Sequence, residues 1–235
     1  MAPIIGVVPS ARLFATADPY DDRYTFINFY TRRLCDAGAI PMGILGIDGC
    51  LPPGAAPACD GFVLCGGAKL WPYHLQILDH AFQTGKPVLG VCLGMQAMSA
   101  YFKVREQAAL RHWEGSLLAL FDRLKQEGYL FTRPVAHHWE VNITRDNIPA
   151  TKHRVLLQEG TLLRQLLGTE CIYGSSMHHY CVNGAPSALR VSALAEDGTI
   201  EGLEYLSQML GVQFHPEVDA ECGALFRWLT RAAQR

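Results

Sequence analysis

The stretch Lys86-Pro87-Val88-Leu89-Gly90-Val91-Cys92-Leu93-Gly94-Met95-Gln96 constrains the fold more than any other part of this chain. An apolar run of strand length passes through Gly-x-Cys-x-Gly into a helix-forming segment, which is the strand-turn-helix pattern of a nucleophile elbow with cysteine at its centre. Both glycines are needed, because a side chain at either place would clash across so sharp a bend. The run shows no polar alternation, so both of its faces must be covered, as in a parallel sheet flanked by helices. Cys92 then stands at a helix N-terminus, where free N–H groups and the helix dipole favour a thiolate. A buried core cysteine beside a strand end is the structural alternative.

The flanking sequence continues the alternation. Ile4 to Val8, Ile40 to Ile44 and Phe62 to Leu64 read as strands, while Tyr24 to Ala37, closed by Gly38, and His74 to Thr84, closed by Gly85, read as helices. Beyond Val91 a helix is expected to about Tyr101, and Leu110 to Leu124 repeats apolar residues at helical spacing. Phe131 to Asn147 is assigned to loop plus a short strand. Ala188 to Ala195, Thr199 to Tyr205 and Met209 to Phe214 read as strands, the first two joined by the turn Glu196-Asp197-Gly198, which signals antiparallel pairing. A helix from Ala220 to Ala232 closes the chain. The expectation is an α/β domain with a mixed, mostly parallel sheet spanning residues 1–235, its active site at the carboxyl ends of the strands.

Composition removes several function classes. At 235 residues the chain can bury a large core without staples. Its formal charge is −2 and it has no basic run, so the phosphate-neutralising surface of a nucleic-acid binder is absent. No stretch has the apolar length of a membrane span, and Met1 to Val8 does not read as a cleavable leader. The eight cysteines are scattered without a Cys-x-x-Cys pair, which gives neither a zinc ribbon nor a disulfide scaffold. A reducing cytoplasm is the expected location.

Two other segments could serve a thiol at position 92. Within Gly211-Val212-Gln213-Phe214-His215-Pro216-Glu217, His215 and Glu217 project from one face of an extended chain and could supply a base and the acceptor that orients it. His-x-Glu also marks surface pairs and metal ligands, and with His178-His179 it could form a metal site in which Cys92 is a ligand. Phe62-Val63-Leu64-Cys65-Gly66-Gly67 ends a strand in paired glycines, whose unhindered N–H groups suit an oxyanion hole. The second donor would be the N–H of Leu93.

Taken together, these motifs resemble the class I glutamine amidotransferase superfamily. Tyr173-Gly174-Ser175-Ser176-Met177-His178-His179 is similar to the Asn-Ser-x-His-His motif of its peptidase C26 branch, the γ-glutamyl-γ-aminobutyrate hydrolase family. Asp197-Gly198-Thr199-Ile200-Glu201-Gly202-Leu203-Glu204 resembles that family's Asp-Gly-x-Ile-Glu-Ala-x-Glu stretch.

The resemblance implies a flavodoxin-like three-layer sandwich. It also implies Cys92 as nucleophile, His215 as base, Glu217 as orienting carboxylate, and Gly67 and Leu93 as oxyanion donors. Gln96, Ser176, His178 and Glu201 would lie near a γ-glutamyl group. The implied activity is hydrolysis of a γ-glutamyl amide through a thioester, with a small-molecule substrate and no metal or organic cofactor. Its alternatives are a glutaminase component that delivers ammonia to a partner enzyme, or a non-catalytic binding member. A homodimer is left open. Lys69 replaces the family's aspartate after Gly-Gly-x, Tyr180 stands where many members have glutamine, and residues 102–150 lack the family's Gly-Gly-x-Leu-x-Gln motif.

Overall fold

The computed structural model describes residues 1–139, 144 and 146–234. Strand β1 (Ile4–Val8) leads into a hairpin of β2 (Ser10–Arg12) and β3 (Arg23–Thr25). There follow α1 (Asn28–Asp36), β4 (Ile40–Gly43), β5 (Gly61–Leu64), α2 (Pro72–Thr84), β6 (Val88–Val91) and α3 (Leu93–Leu110). The second half comprises α4 (Leu117–Gln126), β7 (Thr132–Pro134), β8 (Lys152–Leu157), α5 (Leu162–Leu167), β9 (Cys171–Ser175) and β10 (Tyr180–Val182). It ends with β11 (Arg190–Ala195), β12 (Ile200–Tyr205), β13 (Met209–Val212) and α6 (Gly223–Ala232).

One sheet runs β4-β1-β5-β6-β13-β12-β11-β8-β9. From β4 to β13 every pairing is parallel, and from β13 to β9 every pairing is antiparallel. The apolar central strands are buried along their whole length, as strands covered on both faces must be. Alternate residues serve opposite layers. Val63, Leu89 and Leu210 pack with Leu34 of α1, Leu163 of α5 and Phe226 of α6. Phe62, Val88 and Met209 pack with Ile77 of α2 and with Met95 and Tyr101 of α3.

Several boundaries differ from expectation. Tyr24 and Thr25 pair with β2, and α1 starts only at Asn28. Helix α3 continues past Tyr101 to Leu110 because its inner face stays buried to Val104 beneath α2 and α4. The periodicity from Leu110 to Leu124 therefore spans two helices. Leu110 is exposed, and α4 begins after Ser116, whose hydroxyl caps it by accepting the Ala119 N–H at 3.2 Å. Of the segment Phe131 to Asn147, β7 pairs with β10, and residues 140–143 and 145 lie outside the described residues. Strands β8 and β9 and helix α5 were not legible in the sequence. All eight cysteines are free. No helix among the described residues is long and apolar enough to cross a membrane.

Candidate active site

Strands β5, β6 and β13 are adjacent and parallel, so the segments that leave their carboxyl ends emerge side by side. These are Gly66-Gly67, Cys92 and His215 to Glu217, the three motifs read from the sequence. Cys92 has φ 52° and ψ −104° and heads α3, a backbone conformation that costs an L-residue about 1–3 kcal/mol. The glycines beside it allow this bend. A Cβ on Gly94 would lie 2.3 Å from the Leu64 carbonyl oxygen, and one on Gly90 would lie 2.7 Å from the Gly94 backbone. The Cys92 N–H donates to the Val212 carbonyl at 2.8 Å, tying the elbow to the strand that carries His215.

His215 Nδ1 lies 2.7 Å from Glu217 Oε1, and Glu217 is fully buried. The other ring nitrogen, Nε2, is buried without a hydrogen-bond partner among the described residues. Burial disfavours a charged ring here, but Glu217 and the Cys92 sulfur outweigh it and hold the His215 pKa well above its usual value. Arg33 Nε donates to the Glu217 carbonyl at 3.0 Å, and the His215 N–H donates to the Ser175 carbonyl at 2.9 Å, so the segment is anchored at both ends. Burial and then Glu217 push the pKa of the neighbouring Cys65 thiol well up.

The Gly66-Gly67 turn closes over this pair. A Cβ on Gly66 would meet His215 Cε1 at 2.9 Å, so only glycine permits the approach. The Gly66 N–H donates to Tyr30 Oη at 3.0 Å. Burial, reinforced by the Glu217 charge, raises the Tyr30 pKa well above its usual value, which keeps the phenol neutral. The amides of Gly67 and Leu93 have no acceptor among the described residues. Tyr30 was missed in the sequence because a tyrosine on an amphipathic helix carries no signal apart from core packing.

A cleft of about 420 Å³ opens onto Cys92 and His215, lined also by Gly67, Gln96, Met177 and Tyr180. Gln96 sits in its wall, with Nε2 donating to the Tyr180 carbonyl at 2.9 Å and to Gln213 Oε1 at 3.1 Å. Trp139 stacks on His179 at 4.5 Å to form the outer wall. His178 lines the cleft, but its Nε2 faces His138 and Glu201. Ser176 and Glu201, expected near a γ-glutamyl group, are not among the residues that line the cleft. The Ser176 hydroxyl donates to the His138 carbonyl at 2.7 Å, and Glu201 is fully buried among histidines. A second cavity of about 440 Å³ shares Ala68, Gln96 and Tyr180 with the cleft and is lined by Leu93, Phe121 and Phe131, with Lys69 and Lys125 also on its wall.

A sheet with this parallel centre and antiparallel flank is the class I glutamine amidotransferase fold, and solved structures agree. The glutaminase domain of the Trypanosoma brucei CTPS with bound acivicin matches with a TM-score of 0.67 at 18% identity, over 99% of this chain and 94% of that one. A glutamine amidotransferase of Thermotoga maritima matches with a TM-score of 0.64 at 12% identity over 100% of both chains. The peptidase C26 family matches residues 73–217, and the chain belongs to that family. A glutamine amidotransferase-like protein of Rickettsia prowazekii is 25% identical over 99% of this chain and 98% of its own length. CTP synthase of Thermosipho africanus is 26% identical over 68% of this chain, which spans only 32% of that larger enzyme.

Proposed function

We propose that this chain is a cysteine-dependent hydrolase of γ-glutamyl amides. The reading rests above all on the convergence at two adjacent strand ends of an elbow cysteine and a histidine 2.7 Å from a buried carboxylate. In this scheme the Cys92 thiolate attacks the γ-carbonyl carbon, and the oxyanion is held by the N–H groups of Gly67 and Leu93. His215, oriented by Glu217, protonates the departing amine, leaving a γ-glutamyl thioester. His215 then takes a proton from water, whose oxygen attacks the thioester to release glutamate and restore the thiolate. Gln96, in the wall of the cleft, is the proposed contact for the γ-glutamyl group.

A second reading, the glutaminase component of a synthetic enzyme, draws support from the likeness to CTP synthases. The cavity that shares Ala68, Gln96 and Tyr180 with the cleft favours the first, since it offers a bulky leaving amine room that ammonia does not need. A glutamine analogue bearing a γ electrophile tests the chemistry. Mass spectrometry should find the adduct on the peptide containing Cys92, and an unmodified Cys92 would overturn the proposal. Turnover of γ-glutamyl alkylamines well above that of glutamine separates hydrolase from glutaminase.

A further inference from the structure

His138, His153, His178 and Glu201 converge behind the cleft from four different segments of the chain. Glu201 is fully buried, and neither carboxylate oxygen has a hydrogen bond among the described residues. Its Oε1 lies 3.4 Å from His153 Nε2, 3.4 Å from His178 Nε2 and 3.5 Å from His138 Nδ1. His138 Nδ1 and His178 Nε2 face each other at 3.1 Å.

Their outer hydrogen bonds fix where the ring protons are. His178 Nδ1 lies 3.1 Å from the Tyr180 carbonyl, which can only accept, so Nδ1 carries the proton. His138 Nε2 lies 3.2 Å from the Asp197 carboxylate, and Nε2 is protonated for the same reason. The neutral rings therefore turn lone pairs toward each other and toward a carboxylate. No nearby hydroxyl relieves this, because Ser176 Oγ spends its proton on the His138 carbonyl.

We propose that His138, His153, His178 and Glu201 bind one divalent transition-metal ion of the zinc class. A tetrahedral site with bonds of about 2.0–2.1 Å has edges of roughly 3.3–3.4 Å. Four of the six separations among these ligand atoms, from 3.1 to 3.5 Å, match those edges. The ligand atoms of His138, His153 and Glu201 all lie within 4.8 Å of one another. Two histidines already have the outer partners usual for metal ligands, a carboxylate and a backbone carbonyl. Glu201 and Asp197 together balance the two charges of the ion. A small cavity of about 80 Å³ lined by His138, His153 and Ser176 gives access. The ion does not face Cys92. It ties the segment carrying Trp139 to His178, so its role is to position the wall of the cleft.

The test uses the full chain with Cys92→Ala, so that zinc on that thiol is not counted. Chelator-stripped protein should take up one equivalent of Zn²⁺ in a calorimetric titration, with a rise in Tm of several degrees. Co²⁺ in its place should give the visible absorption of a tetrahedral ion. Asp197→Asn should weaken zinc binding about 10–100-fold, and Glu201→Gln or His153→Ala should abolish stoichiometric uptake. Stripped protein that binds no zinc and shows no Tm response would overturn the proposal, and this result requires no ligand variant to fold. Uptake that is unchanged in Glu201→Gln and His153→Ala would overturn it equally.

Discussion

The Nδ1 of His215 and the Oε1 of Glu217 are 2.7 Å apart, with the carboxylate wholly removed from solvent, so Glu217 sets the charge state of the ring. In Glu217→Gln the attraction that overcomes burial is gone, and the NMR titration midpoint of His215 should fall. The folded pKa of His215 is raised above its unfolded value of about 6.5, so the charged ring stabilises the fold fully below that pH. The contribution is lost as pH rises through the folded pKa. The stability gap between wild type and Glu217→Gln, read by urea unfolding, should accordingly be widest at mildly acidic pH and narrow toward alkaline pH. A gap that widens with pH would assign the carboxylate another partner. His215→Ala should lower kcat further than Glu217→Gln, because it removes both proton transfers, each typically contributing about 10²–10⁴-fold.

Cys92→Ala and Cys92→Ser should both abolish turnover while leaving the circular dichroism spectrum intact. Cys92→Gly separates chemistry from strain. With φ at 52°, alanine retains the backbone cost that glycine avoids, so the glycine variant should be more stable than the alanine variant by about 1 kcal/mol while equally inactive. Equal melting temperatures would show that the elbow stores no strain.

Tyr30→Phe takes the acceptor from the Gly66 N–H inside a covered part of the site. Leaving a buried donor unpaired costs about 1–3 kcal/mol. The turn it anchors carries the proposed oxyanion donor Gly67, so steady-state assays should show kcat falling more than KM rises. A change confined to KM would place Tyr30 in substrate binding instead.

The elbow was legible because Gly90, Cys92 and Gly94 are local, each glycine being demanded by a backbone within 3 Å. The parallel half of the sheet was legible because its strands are apolar on both faces. Strands β8 and β9 were not, because Lys152, His153 and Arg154 interrupt the apolar pattern and are stabilised by long-range partners instead. The same limit explains Glu201. The resemblance places it near a γ-glutamyl group, but only the fold reveals that its Oε1 faces three histidines from distant segments. Tyr30 and Arg33 act through contacts with Gly66 and Glu217 that no sequence spacing encodes.

Lys69 stands two residues beyond Gly67, on the wall of the cavity adjoining the cleft, with Nζ 4.0 Å from the centre of the Trp71 ring. A cation over an indole face is held in place without losing its charge, and a carboxylate on the leaving amine could approach it from the cavity. Such a partly solvated pair contributes about 0.5–1 kcal/mol, equivalent to roughly two- to fivefold in kcat/KM. Lys69→Ala should therefore lower kcat/KM by that factor for γ-glutamyl amides whose amine bears a carboxylate, and leave γ-glutamyl methylamide nearly unchanged. Lys69→Arg retains both charge and ring contact and should keep most of the preference. Equal losses on the two substrates would mean that Lys69 acts only by holding Trp71 and the turn beside it, and no loss on either would place the ammonium outside substrate recognition.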